Sequence, residues 1–182
     1  MDDELADRLT EWAAEARAAD AAAERARRRW LEQQAAEDVS LDGMLLDLAE
    51  RRSSAAVVLR NGSTRVGVVA AVGSDFVALR GEGGEGGDTT LIPLAAVSLV
   101  RTPEAVAGAG REEAAGEGLA LAHALARLAG ERPRVRVEAL GGAALTGELA
   151  AAGGDVVVVG LDGGDRASAC VPLAALCALT LV

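Results

Sequence analysis

Two periodicities divide the chain. From Leu5 to Trp30 the apolar positions Leu5, Leu9, Trp12, Ala16, Ala19, Ala23, Ala26 and Trp30 are spaced 4, 3, 4, 3, 4, 3 and 4 residues apart. That heptad seam predicts a long amphipathic helix within residues 1–38. Such a face suits dimerisation or docking on a partner, and the alternative is a helix lying against the rest of its own chain. Alanine in the middle lets a partner approach closely, so the tryptophans at either end supply most of the apolar area. A shorter helical stripe follows at Leu41, Leu45, Leu48 and Ala49, with Ser40 placed to cap it. Past this point the period changes to short β-branched runs broken by glycine. Asn61-Gly62 reads as a tight hairpin turn, residues 66–71 as a strand, Gly73 as a bend, and Phe76 to Leu79 as a further strand.

The pattern then repeats. At an offset of 80 residues Gly62 meets Gly142, Gly67 meets Gly147, Gly73 meets Gly153 and Asp75 meets Asp155. The helical stripe recurs as Leu121, Leu125, Leu128 and Ala129 at the same offset. After a loop one residue shorter, Ile92-Pro93-Leu94-Ala95-Ala96-Val97 returns as Val171-Pro172-Leu173-Ala174-Ala175-Leu176. Pro93 and Pro172 cannot donate a ladder hydrogen bond and are expected at a strand start or bulge. The expected organisation is an N-terminal amphipathic helix at 1–38, a first helix-plus-strands unit at 39–102, a linker at 103–118 and a second unit at 119–182.

Composition narrows the chemistry. The 182 residues are 51% hydrophobic and carry a formal charge of −10, with a mean hydropathy of +0.22. This suits one or two small cores. The longest apolar stretches fall well short of the roughly 20 residues that span a bilayer. The acidic start Met1-Asp2-Asp3-Glu4 is unlike a secretory leader, so a cytoplasmic location and no membrane partner are expected. All 18 basic residues are arginine, which excludes a Walker lysine or a Schiff-base lysine. The acidic excess concentrates in residues 1–53, and no segment forms a basic patch. The run Arg25, Arg27, Arg28 and Arg29 is flanked by Glu24 and Glu32 and reads as a solvated helix face.

Candidate reactive groups are few. Cys170, Cys177 and His123 do not make a four-ligand metal set, and no nucleophile stands beside a base at motif spacing. Cys170 aligns with Leu91 and is expected to be a small core residue, and Phe76 is likewise assigned to the core. His123 is expected to be structural or partly exposed. Gly83-Gly84-Glu85-Gly86-Gly87-Asp88 fits a calcium-loop pattern, but one copy cannot share ligands between stacked turns, so a plain loop is expected. Asp75 and Asp155 are expected to accept turn hydrogen bonds from backbone amides. No catalytic residue, metal, cofactor or small-molecule substrate is expected, and the chain reads as a non-enzyme.

The residues Gly67-x-Val-x-x-Val-Gly-x-Asp75-Phe-Val-x-Leu79, followed after a variable loop by Ile92 to Val97, carry a resemblance. They are similar to the Sm-like small barrel, and the whole chain resembles an uncharacterised actinobacterial family with an N-terminal helix and two such units. The resemblance implies a mainly β, α+β fold: two tandem Sm-like five-stranded small β-barrels, each preceded by a short helix, plus a long N-terminal α-helix that acts as a coiled-coil arm. It also implies RNA as a candidate ligand, with Arg60, Arg65, Arg80 and Arg101 as candidate contacts. The Tyr-Lys-His segment with which the host-factor branch reads RNA is replaced by Ile92-Pro93-Leu94 and Val171-Pro172-Leu173. The expected function is a non-enzymatic interaction or assembly module that binds a protein partner, or itself, through the N-terminal helix. RNA binding in RNA metabolism or transcription is the alternative.

Overall fold

The computed structural model describes residues 12, 15, 17, 19–31, 33, 40–81, 87–103, 118–162 and 167–182. The chain falls into two compact units, Met1–Val39 and Ser40–Val182. In the first, a continuous helix α1 covers residues 19–31, and Trp12, Glu15, Arg17 and Gln33 also have helical backbone. This described run is shorter than the long helix expected over 1–38. Its described side chains are all exposed, Trp12 at 53% and Trp30 at 60%. The expected coiled coil is therefore corrected: among the described residues no packed helical seam covers Ala19, Ala23, Ala26 or Trp30. Leu5, Leu9 and Ala16 lie outside the described residues.

The second unit runs α2 (Leu41–Glu50), β1 (Ser54–Leu59), β2 (Thr64–Val72), β3 (Phe76–Arg80), β4 (Thr89–Pro93) and β5 (Val97–Arg101). It then repeats as α3 (Leu121–Ala129), β6 (Arg134–Ala139), β7 (Ala144–Ala152), β8 (Val156–Leu161), β9 (Ser168–Pro172) and β10 (Leu176–Leu181). A short 3-10 turn joins β4 to β5 at Leu94–Ala96 and β9 to β10 at Leu173–Ala175. Gly62 and Gly142 turn their hairpins at φ +84° and +79°, the left-handed region that a Cβ disfavours. Pro93 and Pro172 end β4 and β9 and open the 3-10 turns, where the missing N–H costs nothing.

All ten strands pair antiparallel in one open sheet, in the order β5-β1-β2-β3-β4-β10-β6-β7-β8-β9. This corrects the expectation of two five-stranded barrels. Within a repeat the first four strands form a meander and the fifth returns to pair with the first, β5 with β1 and β10 with β6. The fourth strand does not close on the fifth of its own repeat. The 3-10 turn, held by Leu94 N–H to the Asp75 carbonyl at 2.8 Å and Arg60 N–H to the Ala96 carbonyl at 2.9 Å, carries the chain across to the far edge. That leaves the outer edge of β4 open, and β10 of the second repeat occupies it.

Two apolar cores result, and each borrows from the other repeat. The first gathers Leu45 and Leu48 of α2, Val57 and Leu59 of β1 and Ile92 of β4, and also takes in Cys177 and Ala178 of β10. The second is built on Leu121 and Leu125 of α3, Val135, Leu149 and Val159, and takes in Phe76, Ala78 and Leu91 of the first repeat. Each fully buried Leu or Val contributes about 1.5–3 kcal/mol. Each core therefore depends on residues of both repeats. No helix among the described residues is long and apolar enough to cross a membrane.

Candidate assembly edges and the junction between repeats

The junction where the repeats meet has three parts. The first is the strand pair β4–β10, with Leu91 opposite Leu179 and Thr90 opposite Thr180. The two threonine hydroxyls lie 3.0 Å apart. The second is a clasp between the β2–β3 turn and the start of α3. Ser74 N–H reaches the Leu119 carbonyl at 3.2 Å, and Asp75 Oδ1 accepts the Leu121 N–H at 2.7 Å. Asp75 thus does accept a backbone amide, but the amide belongs to the helix of the other repeat. The sequence contains the reason: α2 begins at Ser40, whose hydroxyl accepts Gly43 N–H at 3.1 Å, whereas the aligned position before α3 is Ala120, with no side-chain cap. Asp75 supplies the oxygen that Ala120 lacks, satisfying a helix N-terminal amide with a negative group. The approach needs two glycines. A Cβ on Gly73 would lie 2.4 Å from the Leu119 carbonyl oxygen, and one on Gly118 2.7 Å from Ser74 N.

The third part is ionic. Glu138, only 7% exposed, accepts from the Arg65 guanidinium of the other repeat. Arg136 Nε lies 3.4 Å from the same carboxylate. The Ser63 hydroxyl is within reach of both Glu138 Oε2 at 3.1 Å and Asn61 Oδ1 at 2.8 Å. A buried carboxylate is tolerated only with such partners. The aligned positions in the opposite repeats are Leu145 for Arg65, Val58 for Glu138 and Ala143 for Ser63, so the network exists at this junction alone.

The same half-surfaces recur at the two ends of the sheet without a neighbour. Among the described residues β9 pairs only with β8, and β5 only with β1. Leu91 on β4 is 6% exposed, while its counterpart Cys170 on β9 is exposed. On β10, Cys177, Ala178 and Leu179 are almost fully buried, while of their counterparts on β5 Ser98 and Leu99 are exposed, Leu99 at 46%, and Val100 is half-buried. The cysteine expectation is thereby corrected: Cys170 is not a core residue, because the strand that buries Leu91 has no equivalent beside β9. Cys177 is the core thiol, and burial is the main cause pushing its pKa above the ordinary value.

The remaining predicted residues are dispersed. Arg60 donates to the Ala95 carbonyl at 3.4 Å beside the 3-10 turn. Arg65 is committed to Glu138 at the junction. Arg80 lines a groove of about 300 Å³ with Arg52, Ala49 and Val68, and Arg101 sits on the terminal strand β5 opposite Ala56. These four arginines are not gathered into one track. Gly67 and Gly147 hold close strand contacts: a Cβ there would meet the Arg80 or Gly160 carbonyl oxygen at 2.4 or 2.1 Å. Gly153 has room, its nearest neighbour 3.7 Å away, and Asp155 is exposed at the free end. Phe76 is core, as expected, and His123 is exposed on α3. An exposed pair joins Arg134 to Asp162, whose hydrogen bond raises the arginine pKa further. Among the described residues no group of three or more His, Cys, Asp and Glu is placed to hold a metal ion. Residues 82–86 of the glycine-rich loop lie outside the described residues.

The sequence signal for the junction was the departure from the repeat. Aligning Arg65 with Leu145, Glu138 with Val58 and Ser40 with Ala120 marks where the two units differ. Comparison with protein-family models and with curated proteins finds no match to the chain.

Proposed function

We propose that this chain is a non-catalytic, cytoplasmic assembly module that joins further copies of itself end to end, the outer edge of β9 in one copy pairing with the outer edge of β5 in the next. One observation carries the reading. The positions that pair where β4 meets β10 recur on β9 and β5 without a partner strand, Cys170, Leu99 and Arg101 exposed and Ala169 and Val100 half-buried. Transferring the internal register places Cys170 opposite Val100 and Ala169 opposite Arg101. Chains that stay monomeric blunt their sheet edges with lysine, proline or inward charges. Here the ends offer Leu99, Val100, Ala169 and Cys170, with one charge at Arg101 and one proline at Pro172. The exposed Trp30 gives α1 a second face for a neighbouring copy, since tryptophan supplies large contact area at low entropic cost. RNA binding rests on the resemblance alone, as the dispersed arginines add no groove to it.

Sedimentation of the full chain over a wide concentration range tests the proposal. The expected result is a mass that rises above the monomer with concentration, and that returns to the monomer in Leu99→Arg and Cys170→Arg, both at exposed positions. A wild-type chain that is monomeric throughout, or arginine variants that assemble as well as wild type, would refute it.

A further inference from the structure

Away from the sheet ends, polar side chains converge at one cavity. It has a volume of about 420 Å³ and opens on the junction, its polar lining Arg65, Asp88, Thr90, Arg136 and Thr180 standing with the apolar Val66 and Leu79. The duplication gives these residues an internal control. At the aligned positions of the opposite repeats stand Leu145 for Arg65, Ala167 for Asp88, Ala169 for Thr90 and Ala56 for Arg136, and only Thr180 has a polar counterpart, Arg101. Two copies that share their turn-forming glycines, aspartates and prolines thus differ at four walls of this cavity, polar here and small or apolar in the other copy.

Holding the repeats together accounts for only part of the set. Arg65 and Glu138 satisfy one another across the junction. Arg136 is at the margin of that pair, its side chain 56% exposed and its Nε 3.4 Å from Glu138, so most of its donors face outward. Thr90 is only 6% exposed, and its hydroxyl meets the Thr180 hydroxyl. Two hydroxyls carry two protons, and their mutual hydrogen bond uses one. The second O–H proton is not used by that bond. Asp88 on the rim adds a carboxylate that accepts hydrogen bonds and repels a second anion. A guanidinium, a spare hydroxyl proton and an acceptor carboxylate within one cavity suit a ligand that presents one oxyanion and nearby hydroxyl groups.

We propose that this cavity binds a small hydroxylated oxyanion, a sugar phosphate or a hydroxycarboxylate, with Arg136 and the Thr90–Thr180 pair holding the anionic group and Asp88 accepting from a ligand hydroxyl. Arg65 and Glu138 act as positioning residues that fix the wall on which Arg136 stands. The site is independent of the assembly edges, which lie at the opposite ends of the strand order.

Titration calorimetry on the full chain, with a hexose monophosphate, citrate, inorganic phosphate and an uncharged hexose at matched chloride, tests this. Hydrogen exchange then locates the effect. Saturable binding of the hexose monophosphate or of citrate, with slowed exchange in β4 and β10, is expected, and which of the two binds separates the two sources of the oxyanion. Arg136→Ala should weaken that binding at least tenfold while leaving the unliganded melting temperature within about two degrees, as befits a surface substitution. Asp88→Ala should weaken the hydroxylated ligand and spare inorganic phosphate. Equal affinity in Arg136→Ala and wild type, or no binding of either hydroxylated anion, would overturn the assignment. So would an oligonucleotide that slows exchange in β4 and β10 where the small anions do not.

Discussion

Leu91 and Cys170 occupy the same place in the two repeats and differ in what lies beside them. Leu91 is 6% exposed and sits in the core that both repeats share, opposite Leu179. Truncating it to alanine removes a branched side chain from a packed site, which costs about 2–5 kcal/mol in transfer and cavity terms. Its position on a strand next to the junction, rather than at the centre of either repeat, places the expectation at the lower end, about 2.5 kcal/mol. Cys170 is exposed, so Cys170→Ala should change stability by no more than about 0.5 kcal/mol. Urea unfolding of the full chain at high dilution, where copies are apart, measures both. With a slope of about 2 kcal/mol per molar, Leu91→Ala should lower the midpoint by about 1.2 M, and Cys170→Ala by under about 0.3 M. Because each core contains residues of the other repeat, both variants should keep a single transition. Equal costs at the two positions, or two separate transitions, would show that the β4–β10 junction is not what buries Leu91.

Three further outcomes follow from the junction. Asp75→Ala should cost about 1 kcal/mol through loss of the helix cap on α3, Asp155→Ala almost nothing, and Ala120→Ser in the Asp75→Ala background should recover part of the loss; thermal melts that rank these differently would contradict the cap. Glu138→Ala should destabilise by about 1–2 kcal/mol by leaving Arg65 unpaired, a figure reduced from the fully buried case because the Arg65 side chain keeps 27% of its exposure. The double variant Arg65→Leu, Glu138→Val reinstates the apolar pair of the aligned positions and should melt no lower than wild type. For the thiols, Cys170 should react at once with a thiol reagent and Cys177 only on unfolding. Because the folded state holds the Cys177 pKa above its ordinary 9.0, its contribution to stability is complete below that value and declines as pH rises through the folded pKa. A Cys177→Ala variant whose alkaline melting profile matches wild type would contradict this.

The duplication was legible because turn-forming residues cannot drift freely: Gly62 and Gly142 both require positive φ, and Gly67 and Gly147 both admit no Cβ. The helix stripes and the strands between them were legible for the same reason, since period and punctuation are local properties. What the period could not reveal is which strand takes the open edge of β4. An alternation of two reads the same whether the neighbour is β5 of the same repeat, closing a barrel, or β10 of the other, opening a sheet. Cys170 differs from its aligned Leu91 for that reason, because burial at this position is conferred by a neighbouring strand. The ionic junction was visible only as disagreement between aligned positions, Arg65 against Leu145 and Glu138 against Val58, and repeats are first recognised by what they share.

End-to-end pairing in the internal register places Cys170 of one copy opposite position 100 of the next. Directly opposed antiparallel residues have Cα atoms about 4.5–5.5 Å apart, within the range of about 4.4–6.8 Å that a disulfide spans. Val100→Cys, mildly oxidised and resolved without reductant, should therefore give covalent dimers and longer ladders that vanish when Cys170→Ala is added. A ladder that persists in the Val100→Cys, Cys170→Ala variant, or no cross-link at concentrations where the chain assembles, would contradict pairing of β9 with β5.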